Sequence, residues 1–274
     1  MSGVAQVLAS AREQGRAALV GYLPVGFPDV ETSVEAMQVM VRAGVDVVEV
    51  GLPYSDPLMD GPVIQHAVDA ALRGGARTRD AFPAVQAVTD AGASALVMTY
   101  WNLVDHYGVE RFAADLAAAG GAGLITPDLI PDEAQQWLQV AERHDLDRVF
   151  LVAPSSTDAR LVSTVTACRG FVYAASTMGV TGARASVGTG ARRLVERVRA
   201  VSDLPVCVGL GVSSGAQAAE VAAFADGVIV GSALVRCLAE APDRATGLGD
   251  LERLCAELAD GVRSAARPAS PATS

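Results

Sequence analysis

Short apolar runs rich in valine and isoleucine alternate along this chain with longer segments whose apolar residues recur at helical spacing. The runs near 17–23, 46–51, 95–100, 123–127, 148–153, 170–175, 205–210 and 227–231 predict eight strands. Helices are predicted between them. In the segment 31–43, Val34, Met37 and Val41 fall on one helical face and Gly44 closes the helix. The same alanine–glycine junction returns at Ala91-Gly92 and Ala119-Gly120. Eight alternations without a Pro/Ser-rich linker before residue 267 predict an α/β fold. The expected architecture is a single (β/α)8 TIM barrel over residues 1–266, with an extra N-terminal helix and long βα loops 2 and 6. An open doubly wound sheet is the alternative. The tail "RPASPATS", residues 267–274, lacks apolar periodicity and is expected to be disordered.

Composition narrows the chemistry. The formal charge of −10 over 274 residues disfavours nucleic acid or an anionic membrane as the main partner. The charge-free stretch 204–219 falls short of the ~20 apolar residues of a membrane span. Arg12, Glu13 and Arg16 interrupt what would be the apolar core of a signal peptide, so an intracellular, cytoplasmic protein is expected. Cys168, Cys207, Cys237 and Cys255 are scattered, as are His66, His106 and His144, and no metal site is expected. All 21 basic residues are arginine. Without lysine the chain cannot form a Schiff base, so carbon–carbon chemistry would fall to acid and base groups.

The stretch "VDVVEVGLPYSDPLMDGPVIQ" concentrates the candidates. Strand alternation puts Val47, Glu49 and Gly51 on one face and Val48 and Val50 on the other; with the valines toward the helices, Glu49 enters the barrel near its mouth. A structural hydrogen bond is the plain alternative for Glu49. Asp56 and Asp60 lie in the long second βα loop, where turn formation and helix capping compete with catalysis as their purpose. "VGLGVSSGAQ" sets Gly209 and Gly211 after strand seven, and "VIVGSALV" sets Gly231 and Ser232 after strand eight. In such barrels these two loops commonly bind phosphate, helped by a helix N-terminus. A third loop, "STMGVTGARASVGTG", suits a mobile cover.

Taken together, "EVGLPYSDPLMDGPVIQ", "TYWNLV", "GVTG", "GLGVSS" and "VGSA" resemble the tryptophan synthase alpha subunit family over nearly the whole chain. The resemblance implies a lyase that cleaves indole-3-glycerol phosphate to indole and glyceraldehyde 3-phosphate by retro-aldol chemistry. It implies no cofactor on this chain and a pyridoxal-phosphate-dependent beta subunit as partner, in an alpha2beta2 assembly. By motif position Glu49 corresponds to the proton-transferring group and Asp60 to the group that bonds the indole N–H. Tyr22, Tyr100 and Tyr173 correspond to the indole pocket or to supports of the Glu, Thr181 and Gly182 to the closing loop, and Gly209, Gly211, Gly231 and Ser232 to the phosphate site. A phosphate-binding regulatory barrel without turnover and a sugar-phosphate isomerase or epimerase are the competing functions.

Overall fold

The computed structural model describes residues 3–175 and 189–265. Its strands are β1 (Ala18–Pro24), β2 (Val47–Gly51), β3 (Ser94–Met98), β4 (Gly123–Ile125), β5 (Asp147–Val149), β6 (Leu151–Val152), β7 (Val172–Ala175), β8 (Val206–Gly209) and β9 (Gly227–Val230). All neighbours pair in parallel, in the order β5-β4-β3-β2-β1-β9-β8-β7-β6. The two ends of that order, β5 and β6, are separated in the chain by Phe150 alone. They are one stave, whose first part bonds to β4 and whose second part bonds to β7. The sheet thus curls into the expected eight-stave barrel.

Alternation divides the core in two. Inward residues Ala18, Val20, Val47, Leu96, Ile125, Val149, Phe171, Cys207 and Ile229 fill the barrel. The helix α1 (Gly3–Glu13) adds Val4, Leu8 and Ala11 to this cluster, so the extra N-terminal helix closes the floor. Outward residues such as Leu19, Leu23, Val48 and Val50 pack against the surrounding helices.

The first of those helices, α2 (Val30–Arg42), is capped by Asp29, whose carboxylate accepts from the Thr32 N–H. It ends at Ala43, and Gly44 turns the chain at φ 103, a conformation suited to glycine. Its core face differs from the expected one. Ser33, Ala36, Met37 and Met40 are fully buried, whereas Val34 and Val41 are only partly so. Small residues let this helix lie close on the sheet, which a hydrophobic count alone overlooks. The third helix, α3 (Pro62–Arg73), begins with proline in its first turn.

Beneath the barrel Arg16 grips Asp46 through two bonds of 2.7 and 2.8 Å, and Asp46 also accepts from the Leu19 N–H at 2.8 Å. This ties β1 to the start of β2 at the end away from the site.

Candidate active site

The predicted site residues within the described regions gather at the C-terminal ends of the strands. Glu49 shares the inward face of β2 with Val47 and stands in register with Tyr22 on β1 and Leu96 on β3. It is 1% exposed, and neither carboxylate oxygen has a hydrogen-bond partner among the described residues. The structural-hydrogen-bond alternative therefore has no support there. Burial in this apolar interior disfavours the charge and raises the Glu49 pKa to about 8.

Asp60 ends the second βα loop, just before α3. It does not cap the helix. The cap position is Gly61, with no side-chain bond, and only the Asp60 backbone carbonyl is engaged, by Gln65 Nε2 at 2.9 Å. Its partly buried carboxyl is raised to about 6 by desolvation. Its charge opposes ionisation of Tyr22, Tyr100 and Tyr173. Asp56, in contrast, is exposed and accepts from the adjacent Ser55 hydroxyl, in keeping with a turn role.

Tyr100 lies two residues beyond the end of β3, because the ladder stops at Met98 rather than continuing to residue 100. Its hydroxyl accepts from the Met59 N–H at 3.0 Å and thereby pins the second loop beside Asp60. Burial, the largest influence, raises the Tyr100 phenol to about 12. Tyr54 stacks on it at 5.0 Å between ring centroids. Asp128, in the loop after β4, accepts from the Trp101 N–H at 3.0 and 3.1 Å and joins two loops at the mouth. Sequence reasoning missed Tyr54 and Asp128. An acidic residue in the proline-containing loop "TPDLIPDE" was the available signal for the second.

The glycines have more than one purpose. A β-carbon on Gly51 would lie 2.5 Å from the Tyr22 hydroxyl, and one on Gly209 would lie 2.7 Å from the Tyr173 hydroxyl. Both residues seat a ring, so Gly209 has a packing reason that the phosphate reading did not include. Gly211 has φ 72, a left-handed conformation. Gly231 sits at the N-cap of the helix Ser232–Ala239 without any side-chain cap, which leaves its first N–H groups uncapped by side chains. Ser232 is buried beside it. Thr181 and Gly182 fall outside the described residues. No group of three or more His, Cys, Asp or Glu suited to a metal occurs among the described residues, and no described helix is long and apolar enough to cross a membrane.

An inward acid held neutral, a second carboxyl on a loop above it and glycine-bearing loops across the mouth suit acid–base chemistry on a phosphorylated substrate. Comparison with known proteins agrees. The family model described as "Tryptophan synthase alpha chain" matches residues 8–263. The tryptophan synthase alpha chain of Thermobifida fusca (strain YX) is 60% identical over 270 residues, covering 97% of this chain and 100% of that one. The one from Mycobacterium tuberculosis (strain ATCC 25618 / H37Rv) is 64% identical over 262 residues, covering 96% and 95%. A solved structure of M. tuberculosis tryptophan synthase superposes with a TM-score of 0.91 at 63% identity, covering 96% of this chain and 98% of that chain. In this family the alpha chain has no cofactor of its own, and pyridoxal phosphate belongs to the beta subunit. The chain belongs to the tryptophan synthase alpha chain family, whose members are the lyase subunit that cleaves indole-3-glycerol phosphate in tryptophan biosynthesis.

Proposed function

We propose that Glu49 and Asp60 carry this cleavage between them. The observation that bears most weight is the buried Glu49 carboxyl, without a hydrogen-bond partner among the described residues and neutral up to about pH 8. A neutral acid is what the first step needs. Glu49 donates its proton to indole C3, and the positive charge that develops on the ring is met by ionised Asp60 at the ring N–H. The Glu49 carboxylate then takes the proton from the glycerol C3′ hydroxyl as the carbon–carbon bond breaks. The bond's electron pair passes to the indole, the new carbonyl leaves as glyceraldehyde 3-phosphate, and Glu49 is neutral again. Tyr22, Tyr100 and Tyr173 line the indole end. Gly209, Gly211, Gly231 and Ser232 receive the phosphate, aided by the N–H groups of the helix that starts at Ser232. Thr181 and Gly182, given a substrate role by the resemblance alone, lie outside the described residues.

The remaining proposals concern setting. The chain works in the cytoplasm as a single barrel domain, and it docks on a beta subunit as alpha2beta2; the tail 267–274 lies outside the described residues. The second βα loop favours such a partner, since it offers Leu58 84% exposed next to the Asp60 segment.

Glu49→Gln keeps the shape and removes the transferable proton. Single-turnover cleavage should fall about 10²–10⁴-fold, with binding of a substrate analogue retained. Near wild-type cleavage by this variant would overturn the assignment.

A further inference from the structure

The exits of β3 and β4 run side by side: Met98 pairs with Ile125, and the Thr99 N–H donates to the Ile125 carbonyl at 3.1 Å. Three residues beyond that pair on each strand, Trp101 and Asp128 meet. Both carboxylate oxygens of Asp128 accept from the Trp101 N–H, at 3.0 and 3.1 Å. Trp101 opens the short helix Trp101–Tyr107, whose cap residue, Tyr100, gives it no side-chain bond. The Tyr100 side chain is engaged elsewhere. Its hydroxyl accepts from the Met59 N–H at 3.0 Å, and its ring receives Tyr54 at 5.0 Å between centroids. Both contacts come from the second βα loop, and Met59 is the chain neighbour of Asp60. The peptide between Tyr100 and Trp101 is held at both edges, by Asp128 at its N–H and by the Thr99 hydroxyl, which donates to its carbonyl at 3.1 Å.

We infer that Asp128 is a positioning residue for the cleavage: by holding the Trp101 N–H it fixes Tyr100, whose hydroxyl holds Met59 and with it the neighbouring Asp60. Tyr100 lies beyond the last ladder pair of β3, so its backbone needs an anchor that the sheet does not supply. A carboxylate accepting from a backbone N–H is a stronger anchor than a neutral acceptor. The phenol oxygen stands at the far end of the side chain, where a small rotation of the backbone is enough to break a hydrogen bond. Asp128 thus governs the second loop through two intermediaries, each joined by a bond of 3.0–3.1 Å. The inference rests on the proposed role of Asp60.

Asp128 is exposed, so Asp128→Ala opens no core cavity. Urea melts check that it folds, and Asp128→Ser takes its place if it does not. In the full chain Asp128→Ala should lower kcat about five- to twenty-fold, with KM changed less than about two-fold. By NMR the Met59 amide should exchange at least about five-fold faster, while those of Val20 and Val48 stay as they were. Asp128→Asn keeps an acceptor for the Trp101 N–H and should restore most of kcat. In a Tyr100→Phe background Asp128→Ala should cost less than about two-fold more, since the hydroxyl it serves is gone. Equal losses in both backgrounds, or an unchanged Met59 amide, would overturn the inference. So would a loss confined to KM, which would put Asp128 at the substrate, or an Asn variant as slow as Ala, which would make its charge the active feature. Asp60→Asn run alongside keeps the two readings apart: full turnover in that variant removes the role given to Asp60 and the inference with it, whereas an unmoved Met59 amide beside an inactive Asp60→Asn refutes the link from Asp128 alone.

Discussion

The hydroxyl of Tyr173 lies against the α-carbon of Gly209, so close that a β-carbon there would come within 2.7 Å of it. Gly209 therefore seats the Tyr173 ring, in addition to the phosphate role proposed for it. Gly209→Ala should tilt the Tyr173 ring and lower cleavage by roughly an order of magnitude while inorganic phosphate or glycerol phosphate binds as before. Gly231→Ala meets only ordinary contacts, 3.5 Å to Tyr22 and 3.8 Å to Ile64. It should fold normally and weaken phosphate binding, and calorimetry with glycerol phosphate on both variants checks the contrast.

The pH dependence of cleavage should be bell-shaped. The proposed mechanism needs Asp60 charged and Glu49 neutral, so the rate should fall below about 6 and above about 8. Asp60→Asn should lose most turnover and, in what remains, the acid limb. A kcat/KM profile from pH 5 to 9.5 tests both statements, and a rate rising monotonically to pH 9.5 would contradict the neutral-acid role of Glu49.

Stability should show the same titration with its own sign. The Glu49 pKa is higher in the folded barrel, about 8, than its reference value of 4.5. Between those values the unfolded chain binds fewer protons than the folded one. Folding free energy thus weakens as pH rises through this window and is unaffected by Glu49 below it. Glu49→Gln removes the effect. The variant and wild type should be about equally stable near pH 4.5 and differ by roughly 3 kcal/mol in favour of Gln near pH 7. Urea melts at the two pH values measure it.

Asp46 joins two staves at the barrel floor through Arg16 and the Leu19 N–H. Asp46→Ala removes the acceptor of the Leu19 N–H and the carboxylate that faces Arg16, whose guanidinium keeps only Gln14 and the Ala17 carbonyl, and should cost roughly 2–3 kcal/mol of stability. Because the active site is at the opposite end, kcat of the folded enzyme should not change.

Docking of the beta subunit should raise cleavage, by fixing the second loop and excluding water. Tyr100→Phe, which drops the bond to the Met59 N–H, should therefore harm the isolated chain more than the complex. Titration of both proteins with a beta subunit reads the difference, and equal losses would place the effect of Tyr100 elsewhere.

Periodicity made most of this architecture legible. Glu49 could be placed inside the barrel because alternation leaves no choice once Val48 and Val50 face the helices. The strand near 170–175 shrinks to Val172–Ala175, and the one near 123–127 ends at Ile125, since ladder ends depend on the neighbouring stave. Three kinds of fact were hidden. The tyrosines' glycine seats arise between strands far apart in sequence. The Asp128 contact with the Trp101 N–H joins separate loops. The core face of α2 is built from Ser33 and Ala36, which a hydrophobic scan ranks low. Loop composition left Asp60 as one of two carboxyls, and the family resemblance alone set it apart from Asp56.

The stave broken at Phe150 gives the barrel a seam. Around the rest of the hoop most adjacent strands share three to five register pairs, but β6 and β7 share two, Leu151 with Tyr173 and Val152 with Ala174. One of those two pairs contains an active-site phenol. A hoop yields at its thinnest link, so thermal breathing of this barrel should begin there, and the amides of residues 151–152 and 173–174 should exchange with solvent sooner than those of β1 and β2. The enzyme would then lose the wall behind the indole before it loses its fold, and heat would silence the reaction at a temperature where the chain is still a barrel.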